Sequence, residues 1–158
     1  MRGAPSTLLP VKARSVWRLQ AFFESLLVAL LPITYGVLLY FFDLPVWILF
    51  TFIAIYFLYI FITVIFLPPL RWKRWKYEVL ESEIDLQFGV LIVRRQLIPM
   101  TRVQHVDTEQ GPLLRRYKMA DVTIITAATS HRIPTLSLEV AEELRDRIAA
   151  LAAVAEDE

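Results

Sequence analysis

The chain has 158 residues, enough for one ordinary domain, yet 56% of them are hydrophobic and the formal net charge is only +1. A soluble domain of this size carries far less apolar side chain, so part of the chain must be solvated by lipid. The sequence has no cysteine, which excludes disulfides, thiolate metal sites and cysteine nucleophiles.

Residues 1–20 form an N-terminal segment bearing Arg2, Lys12, Arg14 and Arg18. Residues 25–42 and 44–67 then run without a charge, interrupted by Pro32, Gly36, Pro45 and scattered Ser, Thr and Tyr. A bilayer core needs about 20 apolar helical residues, so residues 21–70 are expected to be a two-helix transmembrane hairpin. Two tandem segments with no small-x-small site after the first do not make a signal peptide. Asp43 reads as the N-cap of the second helix and Pro45 as a first-turn proline. Charge inside a span marks ion and proton pathways, and these spans have none, which argues against a lone channel or pump. Glu24, at the inner edge, is expected to pair with Arg18 or Arg71.

Arg71, Lys73, Arg74 and Lys76 follow the second span, while the link between the spans has no cation. By the positive-inside rule both termini face the cytoplasm. Trp17, Trp72 and Trp75 fall where a cytoplasmic aromatic belt would lie, and Trp47 just past the outer turn. The expected membrane-interface set is therefore Trp17, Trp47, Arg71, Trp72, Lys73, Arg74, Trp75 and Lys76. Cations abutting a span, with no nucleic-acid motif after them, indicate lipid phosphates and no nucleic acid.

Residues 71–155 change character. Ile84, Leu86 and Phe88 alternate with polar residues as a half-buried strand does, and Gly89 turns the chain into a second strand over 90–98. Pro99 closes that hairpin. Residues 101–108 read as another strand, with a bulge implied by Val103 and Val106 three apart. The GPLLRR stretch around Gly111 and Pro112 reads as a loop. Val122, Ile124 and Thr126 share one face of the next strand, and 132–136 is a last short one. Ala141, Leu144, Ile148, Leu151 and Ala155 form one stripe of a closing helix, with Ser137 as cap, Glu139 in the first turn and Glu143 placed to pair with Arg147. Residues 156–158 are an acidic tail. The fold class is α+β: a transmembrane hairpin, then about six or seven antiparallel strands in a sandwich or barrel closed by a C-terminal helix.

The stretch IPMTRVQHVDTEQGPLLRRY, followed by DVTIITA and SHRIPTL, resembles the bacterial PH-like, membrane-flanked domain family and its short YdbS-like members. With the two spans, the resemblance covers roughly residues 10–155 and implies a PH-type β-sandwich attached to the bacterial inner membrane as a multi-pass protein. One departure is Lys118, where many relatives carry a glycine in a phrase like RRFGL; the lysine puts their tight left-handed turn in question.

His105, Asp107 and Glu109 would share a face of an ideal strand and are the nearest approach to a metal site, but a solvated polar face has the same pattern. His131 lies in an expected turn. No phosphate loop, serine elbow or HExxH occurs, so the expectation is a non-enzymatic protein without metal or cofactor. Eukaryotic PH domains often bind phosphoinositides through basic residues in the first strand-to-strand loop; here that loop reads as the acidic Glu81, Ser82 and Glu83. Residues 77–158 hold nine Lys/Arg against fourteen Asp/Glu, net −5, which an anionic leaflet repels. A local patch from Arg94, Arg95, Arg115, Arg116 and Lys118 is limited because adjacent strand residues point to opposite faces.

The function expected is an interaction or assembly subunit of an inner-membrane complex, ahead of lipid-headgroup recognition and of a place in a transport or export system. The partners are the lipids around the helices and another membrane protein, for which a larger PH-like paralogue is a candidate; a homo-oligomer is compatible with the reading. Leu114, Arg115, Arg116, Tyr117 and Met119 are the candidate partner-binding residues, since interface cores favour aromatic, Met and Arg side chains.

Overall fold

The structure, a computed structural model, describes residues 5–156; Arg2 and the last two acidic residues lie outside the described residues. The chain divides into two compact units, one of residues up to Val16 together with those from Leu70 onward, the other Trp17–Pro69. The boundary expected at residue 20 therefore falls earlier, because the N-terminal segment belongs to the sheet unit.

Two helical stretches are long and apolar enough to cross a membrane, Lys12–Phe41 and Val46–Arg74. The first is α1 (Lys12–Val28) and α2 (Leu30–Phe41), interrupted at Ala29. The break lies where Pro32 lacks the N–H that the Val28 carbonyl would otherwise receive. The second is α3 (Val46–Ile60), a π-helical stretch Phe61–Phe66, and α4 (Leu67–Arg74). Pro68 and Pro69 remove two consecutive donors just beyond the wide turn, and Thr63 Oγ1 donates to the Tyr59 carbonyl at 2.8 Å inside it; both loosen the regular ladder. Between α2 and α3 the Tyr35 hydroxyl donates to the Pro45 carbonyl at 3.1 Å, and Tyr35 lies against Phe52 with ring centroids 5.5 Å apart. Asp43 is not the cap that was expected. The N-cap is Pro45, extended at φ −70° and ψ 120°, since a residue before proline is kept out of the helical region and the helix cannot start at Leu44.

The sheet unit holds seven strands among the described residues, in two antiparallel sheets. The first runs in the order β1 (Thr7–Leu8), β2 (Lys76–Val79), β3 (Glu83–Phe88), β4 (Arg94–Pro99). A 3₁₀ turn, Met100–Arg102, leads into the second: β5 (Val103–Glu109), β6 (Met119–Thr126), β7 (Ser130–Ser137). Helix α5 (Pro112–Arg116) sits between β5 and β6, and α6 (Leu138–Glu156) follows β7. Ile84, Leu86 and Ile98 of the first sheet, Val122, Ile124, Ile133 and Leu136 of the second, and Ala141, Leu144 and Ile148 of α6 are buried. These are the positions that strand alternation and the helical stripe place inward. The first amide of α6, Leu138 N–H, donates to Lys118 O at 3.1 Å. Arg147, expected to pair with Glu143, reaches the Val79 carbonyl at 3.3 Å.

β1 comes from before the two spans, so the connection between the first and second strands of the first sheet is the membrane hairpin itself. The acidic turn Glu81, Ser82 and Glu83 is the second connection, tightened by Leu80 N–H to Glu83 O at 2.9 Å. The proposed loop for headgroup binding was therefore misplaced, because a two-residue strand shows no periodicity from which to find it.

Candidate functional site

The residues that follow the second span are built into the sheet unit. Leu8 stands opposite Lys76 and Thr7 opposite Tyr77, and the indole N–H of Trp72 donates to the carbonyls of Leu9 and Pro10 at 2.8 and 3.2 Å. The Arg14 guanidinium lies 5.6 Å from the centroid of the same ring, a cation–π contact. Trp75 is buried and stacks on Phe88 with centroids 6.1 Å apart. The four tryptophans thus divide. Trp47 is 68% exposed, as a belt residue should be, whereas Trp17 and Trp75 are buried, and the Trp72 N–H is held by backbone carbonyls. An indole whose N–H is taken by protein is not anchored by a headgroup, so three of the four belt assignments give way to packing roles. Arg71, Lys73 and Arg74 are exposed and Lys76 is half-buried.

The expected partner-binding stretch is a single helical turn, where a loop was foreseen. Gly111 is its N-cap and Pro112 occupies the first turn, the favoured place for a residue without an N–H. Arg115 and Arg116 point to solvent, while Leu113, Leu114 and Tyr117 are half-buried. Met119 is 1% exposed. It begins β6 opposite Ser137 and belongs to the core, so it leaves the candidate surface. Gln110 Nε2 donates to the Met119 carbonyl at 2.9 Å and braces the turn from the other side. Lys118 has φ 53°: the left-handed turn is present despite the lysine.

Arg95 grips the buried Asp85 carboxylate, with Nε at 3.1 and 3.0 Å from its two oxygens and Nη2 at 2.6 Å. That hydrogen bond raises the guanidinium pKa further. Arg95 is thereby committed to its own sheet, and the patch imagined with Arg94 loses a member. His105 Nε2 lies 3.2 Å from Asp107, but Glu109 turns to Arg132 at 3.6 Å; among the described residues no cluster of three His, Asp or Glu is set to hold a metal. His131 is in β7 opposite Ile124, not in a turn, with Nδ1 3.3 Å from Gln96 Oε1, and desolvation lowers its pKa.

Two features were missed from the sequence. One is the β7 bulge. Ala120 faces Leu136 and Val122 faces Ile133, so Asp121 opposes two residues, Pro134 and Thr135. Thr135 has φ 58°, and its amide donates to Asp121 Oδ1 at 2.5 Å, while Arg132 holds Oδ2. The other is the β3–β4 connection. Residues 90–93, expected as strand, form an exposed loop, with Leu91 97% exposed.

Residues 19–152 match the family described as Bacterial PH domain. The chain is 46% identical to the UPF0699 transmembrane protein YdbS of Bacillus subtilis (strain 168), over 100% of this chain and 99% of that protein. It is also 22% identical over 83 residues, 50% of this chain and 17% of the other, to the UPF0699 transmembrane protein YdbT of the same organism. No solved structure matches.

Proposed function

The chain belongs to the bacterial PH domain family, and on that premise we propose that it is a non-enzymatic assembly module of the bacterial inner membrane, with both termini cytoplasmic. The observation that carries this reading is the double tether: the chain leaves the sheet unit after β1 and re-enters it before β2, with the membrane spans between. A domain held by two connections and pinned by Trp72 across them is confined to the membrane surface, where its effective concentration for another membrane-held protein is high and weak contacts suffice. The α5 turn supplies such a contact, with Arg115 and Arg116 exposed beside the half-buried Leu114 and Tyr117. The similarity of one stretch to the much longer YdbT supports a larger PH-like membrane protein as the partner class. Headgroup recognition ranks below this, since Arg95 is bound to Asp85, and transport ranks third, since the spans carry no charge.

Purification of the tagged chain in mild detergent should bring down a second integral membrane protein. Arg115→Glu with Arg116→Glu, and separately Leu114→Ser with Tyr117→Ser, should release it while circular dichroism stays unchanged. Retention by both folded variants would refute the α5 site, and a chain that purifies alone in every mild detergent would refute assembly. A reporter fused to the C-terminus should read as cytoplasmic.

A further inference from the structure

Outside residues 17–69, the most exposed large apolar side chain among the described residues is Leu91, at 97%, followed by Ile92 at 72%. Val93, next to them, is 40% exposed. Three consecutive apolar residues in water at the tip of a connection call for a cover. The conformation is specified by its first residue: Gly89 has φ +115°, and a Cβ there would fall 2.0 Å from the Ile92 carbonyl oxygen. Only glycine permits that turn.

The register places this loop. Lys76 faces Gln87, Phe88 faces Arg94 and the Phe88 ring stacks on Trp75. The connection after Phe88 therefore leaves the sheet at the end where the chain arrives from α4. Arg71, Lys73 and Arg74 are exposed there, and they directly follow the uncharged stretch 44–67, which sets them at headgroup level. Arg94, exposed at the base of the loop, adds a further cation. An apolar tip with cations at the same end of the sheet matches an anionic leaflet, with acyl chains for the tip and phosphates for the cations.

We infer that the loop of residues 89–93 is a lipid-inserting element, whose Leu91 and Ile92 enter the bilayer interface. This is apolar insertion without headgroup stereochemistry, and it does not require residues 77–158, net −5, to attract an anionic leaflet. It rests on the spans being membrane-embedded and not on the assembly role, so the two fail separately.

The chain has no cysteine, so single cysteines can be labelled uniquely. The full chain, reconstituted in phosphatidylcholine and phosphatidylglycerol vesicles, would carry an environment-sensitive NBD label at Leu91→Cys, at Ser82→Cys in the acidic turn, or at Phe57→Cys in the second span. The label at 91 should show blue-shifted emission, quenching by nitroxide-bearing lipids and protection from iodide, as at 57, while 82 should behave as in water. Water-like emission at 91 would overturn the proposal. A blue shift without lipid quenching would also overturn it, because a protein would then be the cover. In a chain with Leu91→Asp and the label at Ile92→Cys, quenching should fall to the level of position 82; persistence would mean that the tether alone brings the loop near lipid. Water-like emission at 57 would refute the span together with the loop.

Discussion

Replacing Asp121 by alanine should destabilise the sheet unit by about 3 kcal/mol, chiefly by leaving the buried Thr135 amide without an acceptor. Thr135 is 1% exposed and Asp121 is 5% exposed, so water does not readily replace the lost oxygen, and an unsatisfied buried donor costs about 1–3 kcal/mol. The hydrogen bond from Arg132 adds less, roughly 0–1 kcal/mol, because that side chain is 56% exposed and keeps Glu109 nearby. Loss of the acceptor also frees Thr135 from a backbone conformation that a β-branched residue rarely adopts. Asp121→Asn retains an oxygen for the Thr135 amide and should cost about 1 kcal/mol, the scale of one hydrogen bond. Urea denaturation of the full chain in micelles would give the stabilities, and amide hydrogen exchange in the peptide covering β7 would localise the effect. An Asp121→Ala chain within about 0.5 kcal/mol of the parent, with β7 exchange unchanged, would refute the argument.

Trp72→Phe keeps the ring under Arg14 and removes the N–H, so it should cost about 1 kcal/mol and speed exchange in residues 5–10 selectively. Lys118→Gly relieves a left-handed residue worth about 1–2 kcal/mol against an unfolded-state entropy of about 0.5–1 kcal/mol, so the unfolding midpoint should rise slightly. Ile148→Ala opens a cavity where the side chain is fully buried and should cost about 2–5 kcal/mol in the same urea titration. Burial lowers the pKa of His131, so the unfolded chain takes up that proton first as pH falls below 6.5. Stability should decline through that window, and His131→Gln should flatten the decline.

What could be read from the sequence was whatever repeats. Ile84 and Leu86 alternate, Ala141, Leu144 and Ile148 return at helical steps, and the two uncharged runs match a bilayer thickness. Each signal is local, and each element formed as its period required. The misses have no period. Thr7 and Leu8 form a strand too short to alternate, defined only by Lys76 and Tyr77 across the whole hairpin. Residues 90–93 are apolar without interruption, a pattern shared by a buried strand and an exposed loop; the constraint at Gly89 decides between them. Leu114, Tyr117 and Met119 are close neighbours in sequence, yet the left-handed turn at Lys118 sends Met119 into the core and leaves the others at its edge. Candidate sites chosen by sequence proximity fail at such turns.

The insertion of the hairpin between β1 and β2 alters what the knot of cations and indoles does. Had the spans merely preceded the domain, Arg71 to Lys76 would form a single linker. Because β1 returns to pair with β2, both ends of the hairpin meet the same sheet edge, and Trp72 links them through the Leu9 and Pro10 carbonyls. The two spans thus lie within a loop that the β1–β2 pairing closes. Trp72 and Trp75 therefore serve the fold, while Arg71, Lys73 and Arg74 stay exposed. The loop at 89–93 comes off the same end of the sheet, next to the Phe88 ring that stacks on Trp75.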